Sequence, residues 1–310
     1  MPALFRLVRN IQIPSRFFVG RAAGETRQSH FEGLNDAERM NLDTIAEVKR
    51  PSSPDEIDSW RPTYAWLAGG TWLFSEPQVA TDTLIDLDSF GWTPLIPTQD
   101  GLEIAATCRV ADLHAFKGPP EWKAVPLFRD CIDAFLMSFK IWNAATIGGN
   151  IVMSLPAGAM ISLTAALEGV CTLWPRDGAP RTVPVVDFVT GNHSNVLQPG
   201  ELLRSIHLPA TALSRRHAMQ QASLTRLGRS AALIIATVND DGRDFLLTVS
   251  AATPRPVQLR FERTPTATEL RLGIDEKLPA DGYFEDVHGT AAYKRHITYH
   301  LAEQIRAELA

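Results

Sequence analysis

The chain has 310 residues, 45% of them hydrophobic, and a formal net charge of −5. That is apolar chain enough for more than one core, so two or three subdomains are expected. The acidic balance excludes a general nucleic-acid binder and a protein held on an anionic membrane, both of which need a basic surface.

In chain order, residues 1–44 read as an extension. Arg6, Arg9, Arg16, Arg21 and Arg27 make its first part basic, and the apolar groups at Ile11, Ile13 and Phe17 to Val19 are too broken up for a signal-peptide core. A partly disordered tail and a segment that orders on a partner both suit this composition. Over 45–95 the pattern is strand, polar helix, strand. Ser53-Pro54-Asp55-Glu56 has the cap, proline and acids of a helix start, and 84–87 reads as a strand. This is a small α/β unit. Residues 96–215 read as a second, α+β unit: a strand over 101–107, an amphipathic helix over 130–140, a buried helix over 160–167 and a strand over 170–174. A hairpin turn at Asp177-Gly178 follows, so the sheet is expected to be antiparallel. From 216 to 310 the pattern predicts an apolar helix over 230–238, a strand over 245–250, a helix capped by Thr264 and stopped at Gly273, and a final helix over 291–309. No run approaches the roughly 18 apolar residues of a membrane span.

Cys108, Cys131 and Cys171 are too scattered for a disulfide framework or a zinc ribbon and too few for an iron–sulfur cluster, so they read as reduced, buried thiols. His296 and His300 stand one helical turn apart without a third ligand, and no metal site is assigned. No catalytic acid, base or nucleophile is assigned either.

Two stretches carry chemistry. Tyr64-Ala-Trp-Leu67 runs into Ala68-Gly69-Gly70-Thr71-Trp72, and Thr146-Ile147-Gly148-Gly149-Asn150 runs into an apolar segment closed by Pro156-Ala157-Gly158. Each reads as a β-rich approach and a double-glycine turn that brings bare backbone N–H groups to one spot, with a threonine hydroxyl as a further donor. That is a nest for a phosphate, and two of them suit one pyrophosphate. Neither is G-x-G-x-x-G or a P-loop. Further on, Arg226 and Arg229 read either as cations beside a ligand or as partners of acids at a subdomain boundary.

Together with Lys49-Arg-Pro-Ser-Ser-Pro-Asp-Glu56, Arg109-Val-Ala-Asp-Leu113, Pro184-Val-Val-Asp-Phe188 and Leu197-Gln-Pro-Gly-Glu-Leu202, these loops resemble the FAD-binding medium subunit of the molybdenum hydroxylases, the xanthine and carbon monoxide dehydrogenase group. The resemblance spans residues 45 to 250 and returns, more weakly, in Asp286 to His296. It implies an α+β fold: two FAD-binding subdomains (45–95 and 96–215) of the PCMH/vanillyl-alcohol-oxidase type, and a small C-terminal α+β domain (216–310). It also implies FAD bound near Leu67, Ala68, Gly69, Gly70, Thr71, Trp72, Thr146, Ile147, Gly148, Gly149, Asn150, Ala159 and Arg226. In such a heterotrimer the flavin accepts electrons from two [2Fe-2S] clusters of a small subunit and passes them to an external acceptor, while substrate reacts at a molybdenum cofactor on a large subunit. Two such heterotrimers can pair. Without an export signal on this chain the cytoplasm is the expected compartment, with periplasmic export on a partner's signal as the alternative.

Where the family commonly has Asp after Gly-Gly-Thr and after Pro-Ala-Gly, this chain has Trp72 and Ala159. Neither makes the same hydrogen bonds, each worth about 0.5–1.5 kcal/mol. Two other readings are an independent FAD-dependent oxidase or dehydrogenase, and a flavin-free structural subunit of the same complex.

Overall fold

The first strands are short and pair in parallel. β1 (Glu47–Lys49), β2 (Tyr64–Leu67) and β3 (Thr83–Asp86) form a sheet of order β1-β3-β2. The computed structural model describes residues 44–135, 137–225 and 228–310, so the expected extension, Thr44 apart, and Arg226 lie outside the described residues. Central β3 is buried along its whole length, as suits a parallel strand covered on both faces. The helix expected at Ser53 is a single 3₁₀ turn, Pro54–Glu56. Ser53 makes no capping bond, and Glu56 folds back to accept from the Ser52 N–H at 3.0 Å.

The second sheet is antiparallel. Its strands β4 (Leu95–Pro97), β5 (Gly101–Ala105), β6 (Val170–Trp174), β7 (Arg181–Pro184) and β10 (Leu202–Pro209) run in the order β4-β5-β10-β6-β7. Between β7 and β10, β8 (Val189–Gly191) and β9 (Ser194–Asn195) form a separate hairpin. Helices α1 (Val110–Ala115), α2 (Pro126–Asp133), α3 (Phe139–Trp142), α4 (Ile147–Met153) and α5 (Ala159–Ala166) lie between β5 and β6. The single helix expected over 130–140 is therefore two. α2 closes at Ala134, and Ser138 stands in extended backbone before α3 begins.

Aromatic packing joins the two sheets. Trp60 lies 5.0 Å from Trp66, Phe90 5.1 Å from Trp92, and Trp92 5.6 Å from Trp174, with the Arg204 guanidinium 4.2 Å over Trp92. Trp66 also meets Phe90 edge-on at 6.4 Å, so the chain of rings is continuous and fixes β2 against the second sheet.

The third sheet is a four-stranded antiparallel meander of β11 (Arg216–Ser223), β12 (Ser230–Val238), β13 (Arg243–Ser250) and β14 (Val257–Arg263). Helices α6 (Ala267–Lys277) and α7 (Ala291–Leu309) pack on one face of it. The helix expected over 230–238 is strand β12. All nine of its residues are buried: Leu233 and Ile235 enter the core shared with the second sheet, while Ala232, Ile234, Ala236 and Val238 enter the core beneath α6 and α7. Burial on both faces removes the alternation that marks a strand, and what remains is the β-branching of Ile234, Ile235, Thr237 and Val238. Helix α6 starts later than expected, because Thr266 rather than Thr264 is its cap, in a reciprocal capping box with Glu269. Gly273 lies inside this helix, where a Cβ would come 2.9 Å from Phe261 Cζ. The final helix has the expected bounds.

A charged network ties the third sheet to the turn after α5. Arg215, 7% exposed, has Nη1 2.9 Å from Glu168 Oε2 and donates through Nη2 to Asp244, and Arg260 pairs with the same two carboxylates. Without Arg215 the two carboxylates, each 28% exposed, keep Arg260 and access to water. Arg215→Gln is expected to lower unfolding free energy by about 1–2 kcal/mol, read from urea denaturation at neutral pH. An unchanged midpoint would show that the network adds nothing net.

Candidate functional site

The site begins where β2 ends. Gly70 has φ +69°, the left-handed region open to glycine, and Gly69 lies so close to the second glycine stretch that a Cβ would come 1.9 Å from the Ala144 carbonyl oxygen. The loop turns back through Phe74 N–H to Gly70 O at 2.9 Å and Ser75 N–H to Trp72 O at 2.8 Å. Among the described residues nothing accepts from the backbone N–H groups of Gly69, Gly70, Thr71 or Trp72. A pocket wall with that many open donors is built for an anionic or strongly polar ligand.

The second glycine stretch departs from the sequence expectation. It is no turn of bare amides but the first turn of helix α4, with Thr146 as cap. The N–H groups of Ile147, Gly148, Gly149 and Asn150 donate to Cys108 O, Ala106 O, Thr146 Oγ1 and Thr146 O at 2.8, 3.0, 3.0 and 3.1 Å. The two stretches are thus not equivalent. The first supplies donors and the second supplies close approach: a Cβ on Gly148 would lie 2.5 Å from Ala106 Cβ, whereas one on Gly149 would meet only Thr146 Oγ1 at 2.9 Å and, at 4.0 Å, Ala68 Cβ. Gly149 therefore faces Ala68 across the space between the stretches.

That space is a cavity of about 510 Å³. Ten of the expected residues, Leu67 through Trp72 with Thr146, Gly148, Gly149 and Asn150, line it together. Ile147 and Ala159 do not: they are 0% and 1% exposed and belong to the core around the second sheet. Trp72, 38% exposed, stands at the rim with its ring 5.7 Å from that of His193. Sequence reasoning missed much of the apolar wall, including Trp66, Phe135, Met137 and Ile141. As isolated apolar residues they resemble core, and only the break between α2 and α3 turns Phe135 and Met137 toward the space. Trp66 Nε1 is buried with no hydrogen-bond partner.

Two charged side chains among the described residues line the cavity, Glu201 and Arg229. Glu201 accepts from Arg181 Nε and Nη2, each at 2.7 Å, and from the Gln198 N–H at 3.0 Å. Burial alone would raise its pKa, but those donors outweigh burial and hold it below the ordinary glutamate value. The buried thiols of Cys108 and Cys171 are pushed up to about 12 by burial, and Cys131 higher still, so all three stay protonated and poorly nucleophilic.

A largely apolar cavity with a row of free N–H donors on one wall and a glycine-smoothed helix start on the other suits, in an α+β protein, a cofactor with a phosphate-bearing arm. Comparison with known proteins gives the particular kind. Residues 44–211, more than half of the chain, match the model of the FAD binding domain in molybdopterin dehydrogenase, and the chain belongs to that family. Among solved structures it resembles a chain of quinoline 2-oxidoreductase from Pseudomonas putida 86, with a TM-score of 0.70 at 16% identity over 85% of this chain and 95% of that one. It likewise resembles a chain of carbon monoxide dehydrogenase from Hydrogenophaga pseudoflava in a form lacking the Mo-pyranopterin moiety, with a TM-score of 0.69 at 20% identity over 84% and 96%. A xanthine dehydrogenase of Oryza sativa subsp. japonica is 31% identical over 124 residues, 36% of this chain, and the match takes in 9% of that protein's length. The family is one of oxidoreductases, and its cofactor is FAD. The open N–H row, the Gly149 approach and the unpartnered Trp66 Nε1 fit such a group. No helix among the described residues is long and apolar enough to cross a membrane.

Proposed function

We propose that this chain is the FAD-binding electron-transfer subunit of a heterotrimeric molybdenum hydroxylase. It receives electrons from [2Fe-2S] clusters of a small subunit and passes them to an external acceptor, with substrate oxidised at a molybdenum cofactor on a large subunit. The observation that carries this reading is the poverty of the cavity in proton-transferring groups. Of the two charged residues that line it, Glu201 is tied up by Arg181, and an arginine does not give up its proton. A wall like this suits a relay better than an enzyme that must deprotonate its own substrate.

Bound FAD supplies the redox chemistry, taking electrons singly and releasing them in pairs. The chain's residues hold and orient it. The N–H groups of Gly69 to Trp72 and the Thr71 hydroxyl would hold the pyrophosphate, and Gly148 and Gly149 would let the arm lie close to helix α4. Asn150 keeps its carbonyl on the Met160 N–H at 3.2 Å, which leaves its amide nitrogen for the ligand. Trp72 would stand beside the ligand where the family commonly has aspartate. This reading divides the chain at 45–95, 96–215 and 216–310, and the cytoplasm is its expected compartment.

The test compares the FAD-loaded chain alone with the chain mixed with its molybdenum and iron–sulfur subunits. An N-heterocycle or aldehyde is expected to bleach the flavin absorbance only in the mixture. Bleaching of the isolated chain by such a substrate would establish an independent flavoenzyme instead.

A further inference from the structure

We propose that Arg229 is the counter-charge for the reduced flavin, the residue by which this chain raises the reduction potential of its cofactor. This rests on the FAD reading above. Arg229 lines the cavity in the residues leading into β12, is partly buried, and has no hydrogen bond or ion pair among the described residues. Glu201, the other charged side chain among the described residues that line the cavity, is satisfied by Arg181 and Gln198. A guanidinium keeps its proton at any working pH, so a partly desolvated one without a partner favours an anion beside it.

The cofactor carries negative charge in two places. Its pyrophosphate has the donors on the loop after β2, in the first sheet. Arg229 belongs to the third sheet, on a different wall, and is left for the charge that appears only on reduction. When the ring takes two electrons and one proton at N5, one negative charge remains over N1 and the C2 carbonyl. A fixed cation there stabilises the reduced form more than the oxidised form and transfers no proton itself. Neighbouring Ser230 accepts from Gln221 Nε2 at 2.8 Å, which anchors the start of β12 and with it the Arg229 backbone.

The experiment is an equilibrium reduction of the FAD-loaded chain with dithionite against a reference dye, for the wild type, Arg229→Gln and Arg229→Lys. FAD content per chain is measured alongside. Arg229→Gln is expected to keep its oxidised FAD while its preference for reduced over oxidised FAD falls at least tenfold, a drop of about 30 mV for a two-electron couple. Arg229→Lys is expected to recover most of that loss, because it restores charge without the planar fork. A potential unchanged in Arg229→Gln with FAD in place overturns the proposal. So does equal loss of oxidised and reduced FAD, which would put Arg229 on the phosphates. A folded wild-type chain that takes up no FAD would overturn the cofactor reading itself, and this outcome is recognisable before any variant is made.

Discussion

Gly149→Ala is expected to purify without FAD yet fold as stably as the wild type, while Gly69→Ala is expected to lose both cofactor and stability. The difference lies in what each new methyl meets. On Gly149 it enters the space facing Ala68 and touches the protein only at Thr146 Oγ1. Moving the Thr146 side chain loosens its cap bond to the Gly149 N–H, a cost of about 1 kcal/mol, and the preference for alanine over glycine inside a helix offsets it by about 1 kcal/mol, so the apo protein should change by less than about 1 kcal/mol. On Gly69 the methyl overlaps the Ala144 carbonyl at 1.9 Å, and backbone has nowhere to rotate. The two stretches must separate, at an expected cost of about 3 kcal/mol, and the N–H row moves away from helix α4. Flavin released per chain and thermal unfolding of the apo forms measure the two effects separately. Full FAD content in Gly149→Ala would remove helix α4 from the cradle.

A glycine pair beside a threonine can be an ordinary turn, and the loops were legible only because two of them stand in one family's order along the chain. What each loop does was not legible. The sequence treats Gly69-Gly70 and Gly148-Gly149 alike, and only the fold shows that Cys108 and Ala106, just after β5, already occupy the amides of Ile147 and Gly148. Distant backbone acceptors leave no trace in a local motif. β12 failed for a similar reason. Its periodicity is erased because two cores claim its two faces, and the second core is built by α6 and α7, which come later in the chain. The departures at Trp72 and Ala159 also part company in space. Trp72 reaches the cavity and Ala159 is sealed in the core, so of the two only Trp72 can shape the ligand's surroundings.

Asp286→Asn is expected to destabilise the C-terminal sheet and helices more than Lys294→Met, although both break the same pair. Lys294 is fully buried. Its Nζ lies 2.9 Å from Asp286 Oδ1 and 3.4 Å from the Ala251 carbonyl, over the Phe284 ring at 5.3 Å. Asp286 is 19% exposed and also accepts from the His288 N–H at 2.9 Å. Without Lys294 the carboxylate keeps that bond and its access to water, so Lys294→Met is expected to cost about 1–2 kcal/mol. Without the carboxylate the ammonium is left charged in an apolar core, and Asp286→Asn is expected to cost about 3–5 kcal/mol. The pH dependence separates the two. Burial alone would raise the Asp286 pKa, but Lys294 and the His288 N–H outweigh burial and hold it below the ordinary aspartate value. The unfolded chain therefore binds that proton first. The pair's contribution is complete above the unfolded pKa of about 3.9 and is lost as pH falls through the lower folded value. In Asp286→Asn this acid limb disappears. The double variant Lys294→Met/Asp286→Asn, which buries no charge, is expected to recover most of the loss. Urea denaturation of the three variants at several pH values decides it, and an Asp286→Asn protein within about 1 kcal/mol of wild type at neutral pH would show that the ammonium reaches water when its partner is removed.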